Sequence, residues 1–182
     1  MAQKIVIIGA GFAGLLAALS AARLRDEKGV SPADLTITVV APEPALIVRP
    51  RLYERNPASM TAPLGELFAA TDIDYRAGWV DEIDAGKGVI SLTGVDGSAE
   101  MLPYDRLVVA AGSHGFQPPI PGLADFGHSV NERDAAVALD RHLQALAERP
   151  YSSARNTVVV VGGGFTGIEV ATEMPDRLRE IL

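Results

Sequence analysis

Two hydrophobic rhythms alternate along this chain. Ile5–Ile8 is a continuous apolar run, the pattern of a strand buried on both faces. Phe12–Lys28 then carries Leu15, Leu16, Leu19 and Leu24 at helical spacing with alanines between, which predicts a helix. After a loop with Gly29 and Pro32, Leu35–Val40 reads as a second strand. The order is β-α-β, and the uninterrupted apolar strands suit a parallel sheet covered on both sides.

The middle of the chain is less regular. Pro42, Pro44 and Pro50 punctuate Ala45–Val48, which is at most a short extended piece. Ser59 or Thr61 caps a short predicted helix over Leu64–Ala69, with Glu66 in its early turns. Ile73–Ile83, Gly88–Leu92 and Ser98–Leu102 alternate as short strands, with turns at Ala85-Gly86 and Asp96-Gly97, and form a small β-meander. Asp105–Ala110 is a stronger strand. A proline-rich loop (Pro118, Pro119, Pro121) leads to a helix over Glu132–Glu148, which Pro150 stops. Thr157–Val161 is read as a further strand, and Phe165–Leu182 as a helix kinked near Pro175. One strand and one helix do not bury both faces, so this last pair is expected either to pack onto the first domain or to be the start of a truncated second one. The division is 1–112, a linker and helix at 113–156, and 157–182.

The joints between strand and helix carry the chemistry. Gly9-Ala10-Gly11-Phe12-Ala13-Gly14 reads GxGxxG directly after a β-branched strand and before an alanine-rich helix. Gly9 permits the tight turn, Gly11 leaves room for a pyrophosphate, and Gly14 lets the helix approach the sheet. The ligand then meets free backbone N–H groups at the helix N-terminus, from Phe12 and Ala13 onward. Gly162, Gly164 and Gly167 repeat the device near the end of the chain. A glycine turn without a nucleotide is the bland reading of either. The acid that the fingerprint wants at the end of strand two is absent. Ala41 and Pro42 stand there, and Glu43 follows two residues late, either reaching the adenosine ribose or serving as a solvated loop acid. Glu169 and Glu173, four residues apart, share one helix face just past the second motif.

These stretches, with Tyr104–Ser113 and Arg49-Pro50-Arg51-Leu52-Tyr53, resemble the N-terminal part of a flavin- and pyridine-nucleotide-dependent oxidoreductase with two dinucleotide domains. Among these, the chain is most similar to the type II NADH dehydrogenase (NADH:quinone oxidoreductase) family. The resemblance covers essentially the whole chain. It implies an α/β, Rossmann-like FAD/NAD(P)-binding fold with an inserted small β-meander, followed by the start of a second, truncated dinucleotide-binding domain. It further implies FAD at Gly9, Gly11 and Gly14, and NAD(P)H at Gly162, Gly164 and Gly167. Hydride passes from NAD(P)H to FAD and electrons go on to a quinone-like acceptor. Ala111 and Gly112 match the small-residue turn beneath the flavin, where relatives carry threonine at the Ala111 position. Glu169 matches the helix glutamate near the meeting point of nicotinamide and flavin. Arg49 and Arg51 fall in a loop that passes the flavin ring in that family, either neutralising phosphate or pyrimidine charge or lying solvated. The segments beyond the second motif in the family are lacking here, so the chain alone is expected to lack turnover.

Composition narrows the alternatives. A net charge of −7 argues against a binder of nucleic acid. The chain has no cysteine, which excludes a dithiol redox centre within it and sends electrons directly to a small acceptor or a protein. The run after Lys4 is too short for a signal peptide, so a cytoplasmic protein is expected, with attachment to the inner face of the membrane through other parts and a homodimer both open. The three histidines are scattered: His114 lies beside the cofactor or in a loop, His128 and His142 are ordinary surface or helix residues, and no metal site is supported. A non-catalytic FAD/NAD-binding regulatory or scaffold subunit is the competing function class.

Overall fold

A computed structural model describes residues 2–182, which sort into two compact units. The first comprises residues up to Leu46 together with Ala62–Ser113; the second comprises Ile47–Thr61 and His114–Leu182. The boundary after Ser113 lies one residue from the expected division at 112, but residues 47–61 group with the second unit. That excursion leaves the first unit within one short strand, β3 (Ala45–Ile47), and returns within another, β4 (Thr61–Pro63).

The first unit is built on a six-stranded sheet. Its strands are β1 (Gln3–Ile8), β2 (Leu35–Ala41), β5 (Asp74–Asp84), β6 (Val89–Gly94), β7 (Ala99–Pro103) and β8 (Arg106–Val109). They lie in the order β7-β6-β5-β2-β1-β8. β1 pairs in parallel with β2 and β8, and β2 in parallel with β5. The long β5 then continues into the antiparallel meander with β6 and β7, bending at a bulge between Val80 and Glu82. The alternation of side chains along β1 and β2 divides the core between two faces. Ile7, Ile37 and Val39 face α1 (Phe12–Glu27) and α2 (Gly65–Ala70). Val6, Ile8 and Val40 face the other way and pack with Ile90 and Leu92, so the meander covers the face that the helices leave open.

Of the leucines that reveal α1 in the sequence, Leu15 and Leu19 pack half-buried against the core, and none is fully buried. The buried residues of α1 are Gly14, Ala18, Ala22 and Arg25, while Leu16 and Leu24 are exposed. The helix lies so near the sheet that only small side chains fit in the seam. At its far end the buried Arg25 donates from Nη1 and Nη2 to the Asp72 and Thr71 carbonyls, both at 3.0 Å. The cap expected from Ser59 or Thr61 is not formed, because α2 starts later, at Gly65, with Leu64 as its N-cap.

In the second unit α4 (Arg133–Gln144) continues through a 3-10 turn to Glu148 and packs on α5 (Phe165–Ile181). Leu143, Leu146 and Met174 form the centre of that contact, with Leu139, Val170, Leu178 and Ile181 around it. A short helix, α3 (Leu123–Phe126), precedes α4. Pro175 is accommodated within α5 rather than ending it. Residues 157–161, read from the sequence as a strand, are not one here. A strand is completed by a neighbour, and this segment has no ladder partner among the described residues. Val158 and Val160 line a shallow groove with Ala171, Met174 and Leu178, whereas Val159 and Val161 remain exposed.

Candidate functional site

The first glycine turn sits at the carboxyl end of β1. The parallel register sets Ile8 beside Val40 of β2 and Val109 of β8, so the segments following these strands gather along one sheet edge. Gly9 N donates to the Val40 carbonyl and Ala110 N to that of Ile8, both at 2.8 Å. Gly9 has φ +104°, and an added Cβ would lie 2.2 Å from the Ala110 carbonyl oxygen. A Cβ on Gly14 would lie 1.9 Å from the Gly9 oxygen. These two glycines are therefore demanded by the packing of protein on protein. Gly11 differs: it is the N-cap of α1 in extended geometry, and nothing stands within 4 Å of where its Cβ would point.

Leu15 N to the Gly11 carbonyl, at 2.8 Å, is the bond that opens the helix, so the N–H groups of Phe12, Ala13 and Gly14 have no acceptor within it. No acidic side chain occupies the first turn. Open space over Gly11, unpaired amides and an uncompensated positive helix end together suit an anionic phosphate group. Ala111 adjoins Gly9, and Gly112 turns the chain away with φ +76°. Glu43, half-buried, follows β2 at this edge; burial first, and then the Glu43 carboxylate, push the Tyr75 phenol above its ordinary value. The Tyr75 hydroxyl donates to the Ala41 carbonyl at 2.7 Å, which locks the end of β2.

The second turn copies the first. Gly162 has φ +115°, a Cβ on Gly167 would lie 2.0 Å from the Gly162 oxygen, and Gly164 is an extended N-cap with nothing within 4 Å. Ile168 N bonds the Gly164 carbonyl at 3.0 Å, and the first turn of α5 is likewise free of acids. One difference is that nothing crowds Gly162 itself, whereas Ala110 and Ala111, the two residues after β8, crowd Gly9.

Glu169 is exposed on the second turn of α5. Tyr53 belongs to the same unit. Burial, followed by the carboxylates of Glu169, Glu54 and Glu173, pushes the Tyr53 phenol upward against a smaller opposing effect of Arg51. Arg49 donates from Nε to the Asn131 carbonyl at 3.0 Å, and Arg51 forms a two-pronged pair with Glu54, each bond 2.6 Å. That pair raises the Arg51 guanidinium further and lowers Glu54 below the usual carboxylate range. His114 meets Glu132 at 3.2 Å, and the rings of His128 and His142 lie 4.7 Å apart, a pairing that the sequence does not announce. No cluster of three metal-ligating side chains occurs among the described residues, and none of their helices is long and apolar enough to cross a membrane.

Arg177 was also unmarked in the sequence. It is buried on α5, with Nη2 2.5 Å from Asp140 Oδ1 of α4 and Nη1 3.0 Å from the carbonyl of Tyr53. A signal was present: Arg177 falls on the apolar stripe of Val170, Met174, Leu178 and Ile181, where a charge requires a partner.

A family model described as pyridine nucleotide-disulphide oxidoreductase matches residues 3–180. An NADH dehydrogenase-like protein of Mycobacterium tuberculosis (strain ATCC 25618 / H37Rv) is 45% identical over 179 residues, covering 98% of this chain and 44% of the relative. The demethylphylloquinone reductase NdbB of Synechocystis sp. (strain ATCC 27184 / PCC 6803 / Kazusa) is 32% identical over 182 residues, covering 97% and 44%. The chain thus spans less than half the length of the curated relatives it matches. Among solved structures, NDH2 from Plasmodium falciparum in complex with NADH superposes with a TM-score of 0.78 at 19% identity, over 99% of this chain and 38% of that one, a likeness of fold.

Proposed function

Because the chain belongs to the pyridine nucleotide-disulphide oxidoreductase family, we propose that it is the nucleotide-binding portion of a flavin-dependent oxidoreductase. That enzyme passes hydride from NAD(P)H to FAD and electrons on to a quinone-like acceptor. The observation that carries the reading is the duplicated glycine geometry, with φ +104° and +115° at the turns, near-contact at Gly14 and Gly167, and open space at Gly11 and Gly164. One such turn serves many folds; two in one chain call for two dinucleotides.

In this reading residues 1–112 hold FAD, 113–156 link, and 157–182 open the NAD(P)H domain. Gly9, Gly11 and Gly14 seat the FAD pyrophosphate, with the amides of Phe12 and Ala13 donating to it. Glu43 accepts the adenosine ribose hydroxyls in place of the acid that Ala41 lacks. Ala111 and Gly112 keep bulk away from the flavin ring, and Arg49 lends positive charge. Gly162, Gly164 and Gly167 seat the NAD(P)H pyrophosphate. Glu169, the proposed catalytic residue, accepts the carboxamide N–H of the nicotinamide or holds a proton during turnover. The bound cofactors supply the redox chemistry, NAD(P)H as hydride donor and FAD as its acceptor.

The lack of cysteine in this chain and the quinone reductase activity named for a relative support a quinone-class acceptor. A cytoplasmic protein, seated peripherally at the inner face of the membrane and dimeric, completes the proposal. The test is anaerobic titration of the full-length protein with NADH, following the visible flavin absorbance. Wild type is expected to carry flavin that NADH bleaches, and Gly11→Val to be purified without it. Gly164→Val is expected to keep its flavin and to need at least ~10-fold more NADH, since the new side chain occupies the phosphate seat. The 182-residue chain alone is expected not to turn over. Flavin that NADH leaves oxidised favours the non-catalytic binding subunit; a colourless wild type refutes the reading.

A further inference from the structure

Glu43 stands between Pro42 and Pro44, in the bend that joins β2 to β3. The Ala41–Pro42 peptide has no N–H, so the Ala41 carbonyl oxygen is its only hydrogen-bonding group. The Tyr75 hydroxyl donates to that oxygen at 2.7 Å. Peptide planarity and the pyrrolidine ring, which holds φ at about −65°, then leave ψ of Pro42 as the one soft torsion before the Glu43 Cα. On the other side Pro44 confines Glu43 to extended conformations, and the Pro44 carbonyl accepts from Leu64 N at 2.8 Å. Tyr75 is itself fixed. The register of β5 sets it beside Val39 of β2, and its ring stacks on Phe68 of α2, centroids 6.2 Å apart at 22°. Both prolines are exposed, whereas Glu43 is half-buried. A loop acid that only meets solvent has no use for a backbone anchored on both sides.

We infer that Tyr75 is a positioning residue of the first dinucleotide site, its hydrogen bond to the Ala41 carbonyl aiming Glu43 at the adenosine ribose. The inference rests on the reading of Glu43 as the acceptor of the ribose hydroxyls. An acid at the position of Ala41 would be held by the sheet itself, whose β2–β5 ladder ends with the Ala41–Ala77 pair. Glu43 lies two residues past that ladder, where the sheet no longer holds the chain. A binding group must nevertheless be kept within about 0.5 Å of its productive geometry. The proline clip with its two anchored carbonyls supplies at Glu43 what the ladder supplies at Ala41. In this role Tyr75 acts through the backbone, so its loss costs recognition of the ribose rather than binding of the flavin in general.

The test uses the full-length protein, stripped of flavin and reconstituted with FAD or with an FAD analogue whose adenosine ribose lacks its 2′-hydroxyl. Dissociation constants are read from flavin fluorescence, without turnover, for wild type, Tyr75→Phe, Glu43→Ala and the double variant. Wild type is expected to favour FAD over the analogue roughly 10-fold, the lower end for a hydrogen bond to a charged group. Glu43→Ala is expected to abolish that preference. Tyr75→Phe keeps the ring that stacks on Phe68. It is expected to cut the preference to about 3-fold or less, since a carboxylate that wanders from its productive geometry keeps little of the bond. The double variant should match Glu43→Ala alone. If Tyr75→Phe weakens both ligands equally and leaves the preference intact, Tyr75 is merely structural and the inference is overturned. A preference that survives Glu43→Ala, or a wild type with none, overturns the premise about Glu43, and the role of Tyr75 falls with it. Wild type that takes up neither ligand refutes the flavin reading itself.

Discussion

Alanine at position 14 and alanine at position 11 should have opposite consequences, though both positions belong to one motif. At position 14 the new Cβ would lie 1.9 Å from the Gly9 oxygen and 2.9 Å from its carbon, both backbone atoms. Comfortable carbon–oxygen contact is about 3.3 Å, so α1 must retreat by roughly 1.4 Å. The retreat does not stay local. Ala18 and Ala22 sit in the same seam, and the Arg25 bonds to the Thr71 and Asp72 carbonyls are stretched by the same shift. The upper end of the overpacking range, about 3 kcal/mol, is the expected loss. At position 11 a Cβ meets nothing within 4 Å, and the backbone already has φ −71°. Alanine restricts the unfolded chain there but is a poorer N-cap, so the net change should stay within about 0.5 kcal/mol.

Urea unfolding of the 182-residue chain, followed by fluorescence of its single tryptophan, reads the difference. Trp79 lies on β5, in the unit that contains both glycines. With a slope of about 2 kcal/mol per molar urea, Gly14→Ala should lower the midpoint by about 1.5 M and Gly11→Ala by less than about 0.3 M. Equal midpoints for the two variants would mean that the close seam is not what holds α1 to the sheet.

The buried guanidinium of the second unit predicts an asymmetry. Asp140→Ala leaves Arg177 buried with only the Tyr53 carbonyl and should cost about 3–5 kcal/mol. Arg177→Met leaves Asp140, a quarter exposed, able to hydrate, and should cost less; circular dichroism during urea unfolding compares them. His142 is held below its ordinary value by burial first, then by His128 and Arg149. The unfolded chain therefore binds a proton more readily. Stability from the neutral ring is fully present above about pH 6.5 and is lost as pH falls through the lower folded value. His142→Gln should flatten the melting temperature between pH 7 and pH 5, and an unchanged pH slope would refute the effect.

Much of this protein is set by local rules that a sequence states openly. Ile5–Ile8 and Leu35–Val40 are strands because β-branched runs between turn residues leave the backbone few alternatives. The glycine turns are legible because φ near +104° and +115° and the close helix approach exclude side chains at fixed spacing. The meander follows from alternation and turn chemistry at Ala85-Gly86 and Asp96-Gly97.

What the sequence left undecided concerns partners distant along the chain. The depth of the seam under α1 selects Ala18 and Ala22 for burial over Leu16 and Leu24, which no helical periodicity reveals. Residues 157–161 have the composition of a strand, but a ladder needs a neighbour, and none of the described residues pairs with them. Arg177, Asp140 and the carbonyl of Tyr53 are far apart in sequence and meet only because α4, α5 and the loop after β3 share one unit. Burial of a charge in that contact obliges it to find those partners.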